Sequence, residues 1–192
     1  IADHLSRMGH RVHLLRSRWA ENSQSLAVQT SDYETFDELK RAVQHLLSTQ
    51  HFDSVIHAAA VSDYKVSEVT ASGATNHISL EQKIPSSSDV LHMKLVRNPK
   101  ILDSLREYSR NKEIKIVAFK LTVKTTAEEL RLTVNDLFDV SCADLIVHND
   151  LSEVQDEVSR SPHRFRIFKK DRDDATAVAG KTALAKALGE LL

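Results

Sequence analysis

The 192-residue sequence contains one cysteine, four glycines and no long apolar segment, and each shortage excludes a class of protein. The single thiol, Cys142, rules out an intramolecular disulfide and a zinc site built from several cysteines. Four glycines are too few for a glycine-rich phosphate loop of the P-loop or dinucleotide-binding type within these residues. The longest apolar run, 55–61, is far shorter than the ~20 residues that cross a bilayer.

The charges of the chain are balanced, with 26 Lys and Arg against 27 Asp and Glu and a formal net charge of −1. This balance excludes a polybasic nucleic-acid arm and an acidic tail. The basic, aromatic segment 163–170 is followed closely by Asp171, Asp173 and Asp174, which favours a solvated edge strand over a nucleic-acid surface. We expect a cytoplasmic protein, as the low cysteine content fits a reducing compartment, with no nucleic-acid or membrane partner.

The first nine residues have the spacing of a helix end. Ile1, Leu5 and Met8 fall on one helical face, and Gly9 stands where a glycine commonly ends a helix. Ile1 cannot cap the start of that helix, because its side chain has no hydrogen-bond acceptor. We therefore expect a single domain over residues 1–192 that is truncated at its N-terminus, its first strand lying before Ile1.

Strand-like and helix-like segments alternate along most of the chain. Two capping boxes, at Thr35–Glu38 and Thr126–Glu129, predict helix starts, and so does the pair Asn98–Pro99. The predicted strands lie at 12–15, 25–30, 54–60, 114–121, 144–148 and 165–168, and a C-terminal helix carries Val178, Leu184, Leu188 and Leu191. This alternation predicts an α/β fold with a doubly wound, mostly parallel sheet, in which the apolar run 54–60 is buried on both faces.

One region interrupts the alternation. Residues 67–76 are polar and small, which predicts a loop, and the segments 77–84 and 90–96 flank the turn-rich stretch 85–89. The apolar residues of the second segment recur at every other position, namely Leu91, Met93 and Leu95. This period of two predicts an antiparallel hairpin inserted into the sheet fold. Its apolar face has no obvious partner within the chain, so we expect a homodimer through residues 77–96.

Unusual residues follow three of the predicted strands. The first of these strands contains His57, which is followed by three alanines and then by Asp63. Phe119 and Lys120 end the second strand, and Asn149 and Asp150 come directly after the third. Since ligands bind beyond the carboxyl ends of parallel strands, these side chains indicate a nucleotide site. The alternative is that the alanines pack the core and the acids cap helices, and the residues alone leave both interpretations open.

Five motifs in order resemble the phosphopantothenate–cysteine ligase family, also called phosphopantothenoylcysteine synthetases. They are AAAVSDY at 58–64, Lys83-Ile84, the stretch 90–102 with its Asn-Pro pair, VAFK at 117–120 and DLIVHND at 144–150. The likeness covers nearly the whole chain. It implies a Rossmann-like fold and a ligase of coenzyme A biosynthesis that joins 4'-phosphopantothenate to cysteine.

The resemblance also implies a mechanism through an acyl-nucleotide. The pantothenate carboxylate attacks the α-phosphate of CTP or ATP, pyrophosphate leaves, and the cysteine amine then attacks the activated carbonyl. A Mg²⁺ ion is expected to bridge the phosphates, with no metal site built from the protein alone. Lys83 is expected to be catalytic by steadying phosphate or acyl charge.

The same resemblance assigns the nucleotide-binding residues. Ala58, Ala59 and Ala60 would bound the nucleotide site, and Asp63 would recognise the nucleotide or assist its metal. Phe119 would pack on the nucleotide and Lys120 would supply a cation. Asn149 would form a hydrogen bond to substrate or nucleotide.

The chain departs from the family pattern in three ways. The family's glycine-rich loop and its phosphopantothenate-contacting asparagine are expected upstream of Ile1. Leu137 and Ser141 stand where bifunctional relatives carry lysines, and Pro85-Ser86 replaces a second lysine-rich position. The bifunctional type has no lysine at the position of Lys120. Its presence here suggests the stand-alone ligase, without a fused decarboxylase domain.

Two other interpretations remain. The apolar strand near residue 55 also resembles extended short-chain dehydrogenases, and Tyr108 and Lys112 have their YxxxK spacing. In such an enzyme the tyrosine would donate a proton and the lysine would lower the pKa of that tyrosine. Tyr108, however, falls on the apolar face of a predicted helix. The third interpretation is a non-catalytic homologue of the ligases.

Overall fold

The computed structural model describes residues 1–71, 77–78, 89–154, 163–172 and 174–192. They form two compact units, of which the first contains residues 1–59 and 101–192 and the second contains residues 60–100. No helix in the described part of the chain is long and apolar enough to cross a membrane.

The described residues of the first unit contain seven strands in two sheets. They are β1 (His13–Ser17), β2 (Gln29–Tyr33), β3 (Ser54–His57), β7 (Lys115–Thr122), β8 (Leu145–Asp150), β9 (Arg164–Lys169) and β10 (Ala175–Ala179). β1 and β2 form a parallel pair, and the larger sheet has the order β10-β9-β8-β7-β3. In that sheet β3, β7 and β8 run parallel, whereas β9 and β10 are antiparallel to their neighbours. The expected α/β class with a mostly parallel sheet is confirmed.

In the same described part of the chain, six helices accompany these strands. They are α1 (Ala2–Arg7), α2 (Phe36–Thr49), α3 (Ile101–Tyr108), α4 (Ala127–Val140), α5 (Leu151–Val154) and α6 (Lys181–Leu191). Both predicted capping boxes are present, at Thr35 before α2 and at Thr126 before α4. Gly9 follows α1 with a φ of +95°, which is the left-handed conformation that a helix-ending glycine adopts at low cost.

The larger sheet is covered on both faces. One face packs Val117, Val147 and Ile167 against Leu184 and Leu188 of α6. Because side chains alternate along a strand, Ile116, Ala118, Ile146 and His148 point to the opposite face, and each of these four is at most 1% exposed. Burying an aliphatic side chain this fully contributes about 1.5–3 kcal/mol relative to leaving it in water. The sheet is therefore doubly wound, as its alternating elements predict.

In the second unit, the residues that the structure describes form a three-stranded antiparallel sheet. Its strands are β4 (Tyr64–Ala71), β5 (His77–Ile78) and β6 (Leu91–Arg97), in the order β5-β4-β6. The pairing of β4 with β6 is interrupted by a register shift between Val66 and Glu68. Val69 of β4 is 2% exposed and lies opposite Met93, which is half exposed.

The inserted antiparallel element is confirmed, but its strand pairing differs from the prediction. Residues 67–71 belong to β4 rather than to a loop, and within the described residues β5 and β6 each pair with β4 and not with each other. The rest of the predicted loop, first hairpin strand and turn, residues 72–76 and 79–88, lies outside the described residues. The irregularity next to Ser67 breaks the alternation of polar and apolar residues, and this is why the pattern of β4 reads as a loop.

Other boundaries move for local reasons. The segment 25–28 is a turn because the Ser25 hydroxyl and carbonyl accept from the amides of Ala27 and Val28, so β2 begins only at Gln29. The expected cap at Asn98 is not formed within the described residues, because its buried Oδ1 accepts no hydrogen bond there, while its side-chain NH2 group donates to the Ser62 carbonyl at 2.9 Å. β3 ends at His57 and is half-buried along its length, because it is the last strand of its sheet.

The C-terminal region also differs from the prediction. Val178 belongs to β10 rather than to the last helix. β10 pairs with β9, so β9 is an interior strand and not the expected solvated edge, and its residues Phe165 and Ile167 are buried. Ile167 belongs to the core of the sheet, whereas Arg164 and Arg166 lie on the opposite face, where Arg166 pairs with Glu153 at 2.9 Å.

Candidate active site

The three parallel strands place their carboxyl ends on one side of the larger sheet. The register pairs His57 of β3 with Ala118 of β7, and Thr122 of β7 with Asp150 of β8. We call the residues at these strand ends, 57–59, 119–122 and 149–150, the carboxyl edge. In a parallel sheet this is the edge where ligands bind.

Two of the predicted nucleotide-binding residues share a face of the sheet. Phe119 packs against the α6 core, and Asn149 lies beside Leu121, two positions further along β7 and hence on the same face as Phe119. Lys120 lies beside His148 on the opposite face. The structure thus brings Phe119 and Asn149 together but directs Lys120 to the other side.

The remaining predicted residues fall in different places. Ala58 is exposed and Ala59 is half-buried, both directly after β3 in the first unit. Ala60 and Asp63 are exposed in the second unit, where the Asp63 carbonyl accepts from the Asn98 amide at 2.8 Å. Lys83 lies outside the described residues.

Asp150 is the most extensively bonded side chain of the carboxyl edge, and the sequence pattern placed it in the predicted nucleotide site without giving it an individual role. It is 4% exposed, and its carboxylate accepts from the Thr122 hydroxyl at 2.8 Å and from the amides of Lys124 and Thr125 at 3.0 and 3.2 Å. The Ser152 hydroxyl and amide also donate to this carboxylate, at Oδ1. These donors, with the Ser152 hydroxyl foremost, hold the pKa of Asp150 well below its usual range.

Two histidines lie on the face that Lys120 shares. His148 is 1% exposed, and its Nε2 atom is 2.8 Å from the Thr122 hydroxyl oxygen. Burial lowers the pKa of His148, an effect that the neighbouring Arg166 reinforces. Burial also lowers the pKa of His57 at the end of β3. Both imidazoles are therefore neutral near pH 7.

A signal for this polar group was present in the sequence. Asn149 and Asp150 end an otherwise apolar strand, and Thr122 ends the neighbouring one. Polar residues at the ends of two adjacent buried strands are candidates for bonding to each other, because those ends meet at one edge. The sequence alone does not show which oxygen meets which donor.

The YxxxK spacing does not form a dehydrogenase-like pair. Lys112 Nζ donates to the carbonyl of Glu107 at 2.9 Å and to that of Arg106 at 3.4 Å, so it binds the carboxyl end of α3. Tyr108, on the same helix, is half-buried. A lysine that binds helix carbonyls is not placed to lower the pKa of the tyrosine hydroxyl.

The described residues contain no group of three or more His, Cys, Asp or Glu side chains that could hold a metal ion. Mg²⁺ is typically bound through one or two carboxylates together with substrate phosphates and water. The carboxylate of Asp63 is exposed, which is compatible with its being one of these carboxylate ligands.

Comparison with known proteins identifies relatives in coenzyme A metabolism. The coenzyme A biosynthesis bifunctional protein CoaBC of Thermococcus kodakarensis is 27% identical over 151 residues, which cover 79% of this chain and 34% of the relative. The protein of the same name from Methanocaldococcus jannaschii is 33% identical over 102 residues, which cover 53% of this chain and 22% of the relative. The chain thus matches about a third or less of each relative's length.

Solved structures show the same fold. A DNA/pantothenate metabolism flavoprotein from Streptococcus pneumoniae superposes with a TM-score of 0.79 at 24% identity, over 98% of this chain and 82% of that one. A variant of Cab2 in complex with phosphopantothenate-cysteine superposes with a TM-score of 0.68 at 12% identity, over 99% and 76% of the two chains. The family described as the DNA/pantothenate metabolism flavoprotein C-terminal domain matches residues 1–192, and the chain belongs to that family.

Proposed function

We propose that this protein joins 4'-phosphopantothenate to cysteine in a reaction driven by CTP or ATP. The observation that carries the proposal is the family match over all 192 residues, which include the ordered motifs at 58–64, 117–120 and 144–150. Two relatives are named for coenzyme A biosynthesis, and one structural neighbour holds phosphopantothenate-cysteine.

The proposed reaction has two steps. The carboxylate oxygen of phosphopantothenate forms a bond to the α-phosphorus of the nucleotide while the bond to pyrophosphate breaks. The cysteine amine then attacks the acyl carbon, the nucleoside monophosphate leaves, and the nitrogen loses a proton to give the amide. Negative charge develops on phosphate and carbonyl oxygens in these steps, so the protein accelerates them by placing cations and hydrogen-bond donors nearby.

At the carboxyl edge, we assign nucleotide contacts to the face that carries Phe119 and Asn149. The aromatic ring offers a stacking surface and the amide offers both a donor and an acceptor. The small side chains of Ala58 and Ala59 leave room for a ligand beside the end of β3. Lys120 adds positive charge at the same edge from the opposite face of the sheet.

The motif at 58–64 also supports a role in nucleotide binding for Ala60 and Asp63 of the second unit. We propose that Asp63 recognises the nucleotide or provides a ligand to Mg²⁺, and that Lys83 neutralises phosphate or acyl charge. Bound Mg²⁺ would offset the charge of the phosphate oxygens. The compact ammonium of lysine on a long stem suits a contact that needs charge rather than a fixed geometry.

We also propose that the protein is a cytoplasmic homodimer, paired through residues 77–96. Met93 and Leu95 are 54% and 57% exposed, and they lie two residues apart on β6, hence on one face. An exposed apolar strand face of this kind is commonly covered by a second copy of the chain.

The decisive experiment is a turnover assay with phosphopantothenate, cysteine and either CTP or ATP, with the amide product detected by mass spectrometry. We expect product and pyrophosphate in equal amounts with one nucleotide and much less with the other, which identifies the true co-substrate. Absence of product with both nucleotides would contradict the ligase proposal and favour a non-catalytic homologue.

A further inference from the structure

A partly buried chain of hydrogen bonds runs from His148 through Thr122 to Asp150, and its donors can be assigned. The carboxylate of Asp150 can only accept, so the single hydroxyl hydrogen of Thr122 points to it across 2.8 Å. The Thr122 oxygen must then accept from His148, whose Nε2 atom lies 2.8 Å away. His148 is therefore the Nε2-protonated tautomer.

The other ring nitrogen of His148 fits this assignment. Within the described part of the chain, Nδ1 is buried and has no hydrogen-bond partner. An unpartnered N–H at that depth would cost more than an unpartnered lone pair on a nitrogen that makes its bond through the other side. The charged groups that influence this ring are Lys120 on β7, Asp150 on β8, Glu153 on α5 and Arg166 on β9, of which the last two pair with each other at 2.9 Å.

At the other end of this hydrogen-bond network, Asp150 fixes a turn of unusual conformation. Asp150 accepts from the amides of Lys124 and Thr125 in the connection between β7 and α4. Lys124 has a φ of +51°, a left-handed conformation that costs energy in a residue with a side chain. The two bonds from Asp150 compensate for that cost, and the turn follows the strand that carries Phe119 and Lys120.

We propose that His148 is a positioning residue, which aims the Thr122 hydroxyl at Asp150 and thereby holds the turn 122–125 at the carboxyl edge. It acts through Thr122 and Asp150, since a side chain that is 1% exposed cannot contact a ligand. The kinetic part of this inference rests on the proposed ligase function, whereas the structural part does not.

Two substitutions separate positioning from simple filling of the core. In His148→Gln the side-chain amide can donate to Thr122 from about the place of Nε2, whereas His148→Leu fills similar space without a donor. We expect the Leu variant to raise the KM for the nucleotide roughly 10-fold with a smaller change in kcat, and the Gln variant to stay within roughly 2-fold of the wild type. Equal kinetics of the two variants would overturn the proposal.

A second measurement does not depend on catalysis. Amide hydrogen exchange of Lys124 and Thr125, followed by NMR without ligands, should accelerate roughly 10-fold in His148→Leu and remain near the wild-type rate in His148→Gln. Unchanged exchange in the Leu variant would overturn the structural part of the proposal, even if the wild type made no ligase product.

Thr122→Val provides an independent variant, because it removes the hydroxyl and keeps the shape. We expect it to reproduce the faster exchange of His148→Leu, and we expect the double variant to be no worse than either single one. Additive effects in the double variant would show that the two residues act separately and would contradict the proposed relay.

Discussion

Arg106 on α3 and Asp144, directly before β8, form an ion pair with 2.8 Å between Nη2 and Oδ2. The same carboxylate oxygen accepts from the Ile116 amide at 2.7 Å, so it links the beginnings of β7 and β8. Arg106 also donates to the carbonyls of Ile114 and Cys142 at 2.8 and 3.1 Å. One guanidinium thus ties a helix to two neighbouring strands at the edge opposite the candidate site.

We predict that Arg106→Ala lowers the free energy of unfolding by about 2–3 kcal/mol, since it leaves several partly buried acceptors without a donor. Urea denaturation measures this change. Arg131→Ala, on the exposed surface of α4, is the matched control and should stay within about 0.5 kcal/mol of the wild type. Similar losses in the two variants would contradict the role assigned to Arg106.

Protein stability should fall as the pH drops below about 6.5. Burial lowers the pKa of His13, His57 and His148 from the ordinary value of 6.5, so the unfolded chain binds protons there before the folded protein does. Stability therefore rises with pH through this window and is fully present above it. Urea midpoints measured between pH 5 and pH 8 test the sign.

The His148→Gln variant sharpens that measurement. It removes one of the three titrating groups, so its stability should depend less steeply on pH than that of the wild type. His45→Gln, on the exposed side of α2, controls for the loss of a histidine as such. An unchanged slope in His148→Gln would contradict the neutral, buried state of this imidazole.

Lys83→Ala should leave the fold intact and reduce the ligase rate roughly 10²–10³-fold, which corresponds to about 3–4 kcal/mol of lost charge stabilisation. The loss should fall on kcat more than on KM if the ammonium acts mainly in the transition state. Steady-state kinetics with CTP or ATP measure both constants.

Lys94→Ala is the matched control for the preceding variant, since Lys94 is an exposed lysine of the same inserted region and pairs with Glu68. It should keep its activity, because an exposed ion pair is worth only about 0–1 kcal/mol. If Lys83→Ala retained near wild-type turnover, Lys83 would have no part in the mechanism.

Light scattering should give the protein in solution a mass twice the 21.6 kDa of one chain. Leu95→Glu places a charge on the exposed apolar face of β6, and we expect it to shift the protein to the monomer because a buried, unpaired carboxylate is costly. Lys94→Gln, on the other face of the same strand, should remain dimeric. A monomeric wild type would rule out the proposed dimer.

Where the interacting residues are close in sequence, the sequence alone was sufficient. The capping boxes at Thr35 and Thr126 are present because each joins a hydroxyl and a carboxylate three residues apart. Gly9 ends α1 for an equally local reason. The order of the motifs also identified the family, because it can be read from the sequence without knowing where those residues lie in the fold.

The contacts across strands could be found only in the tertiary structure. Thr122 meets His148 and Asp150 across 26 and 28 residues, and β9 is an interior strand only because β10 pairs with it. Strand register places Lys120 on one face of the sheet and Phe119 and Asn149 on the other, although all three residues lie at the carboxyl edge. Local propensity determines where elements begin, whereas burial and hydrogen bonding between distant segments decide which side chains meet.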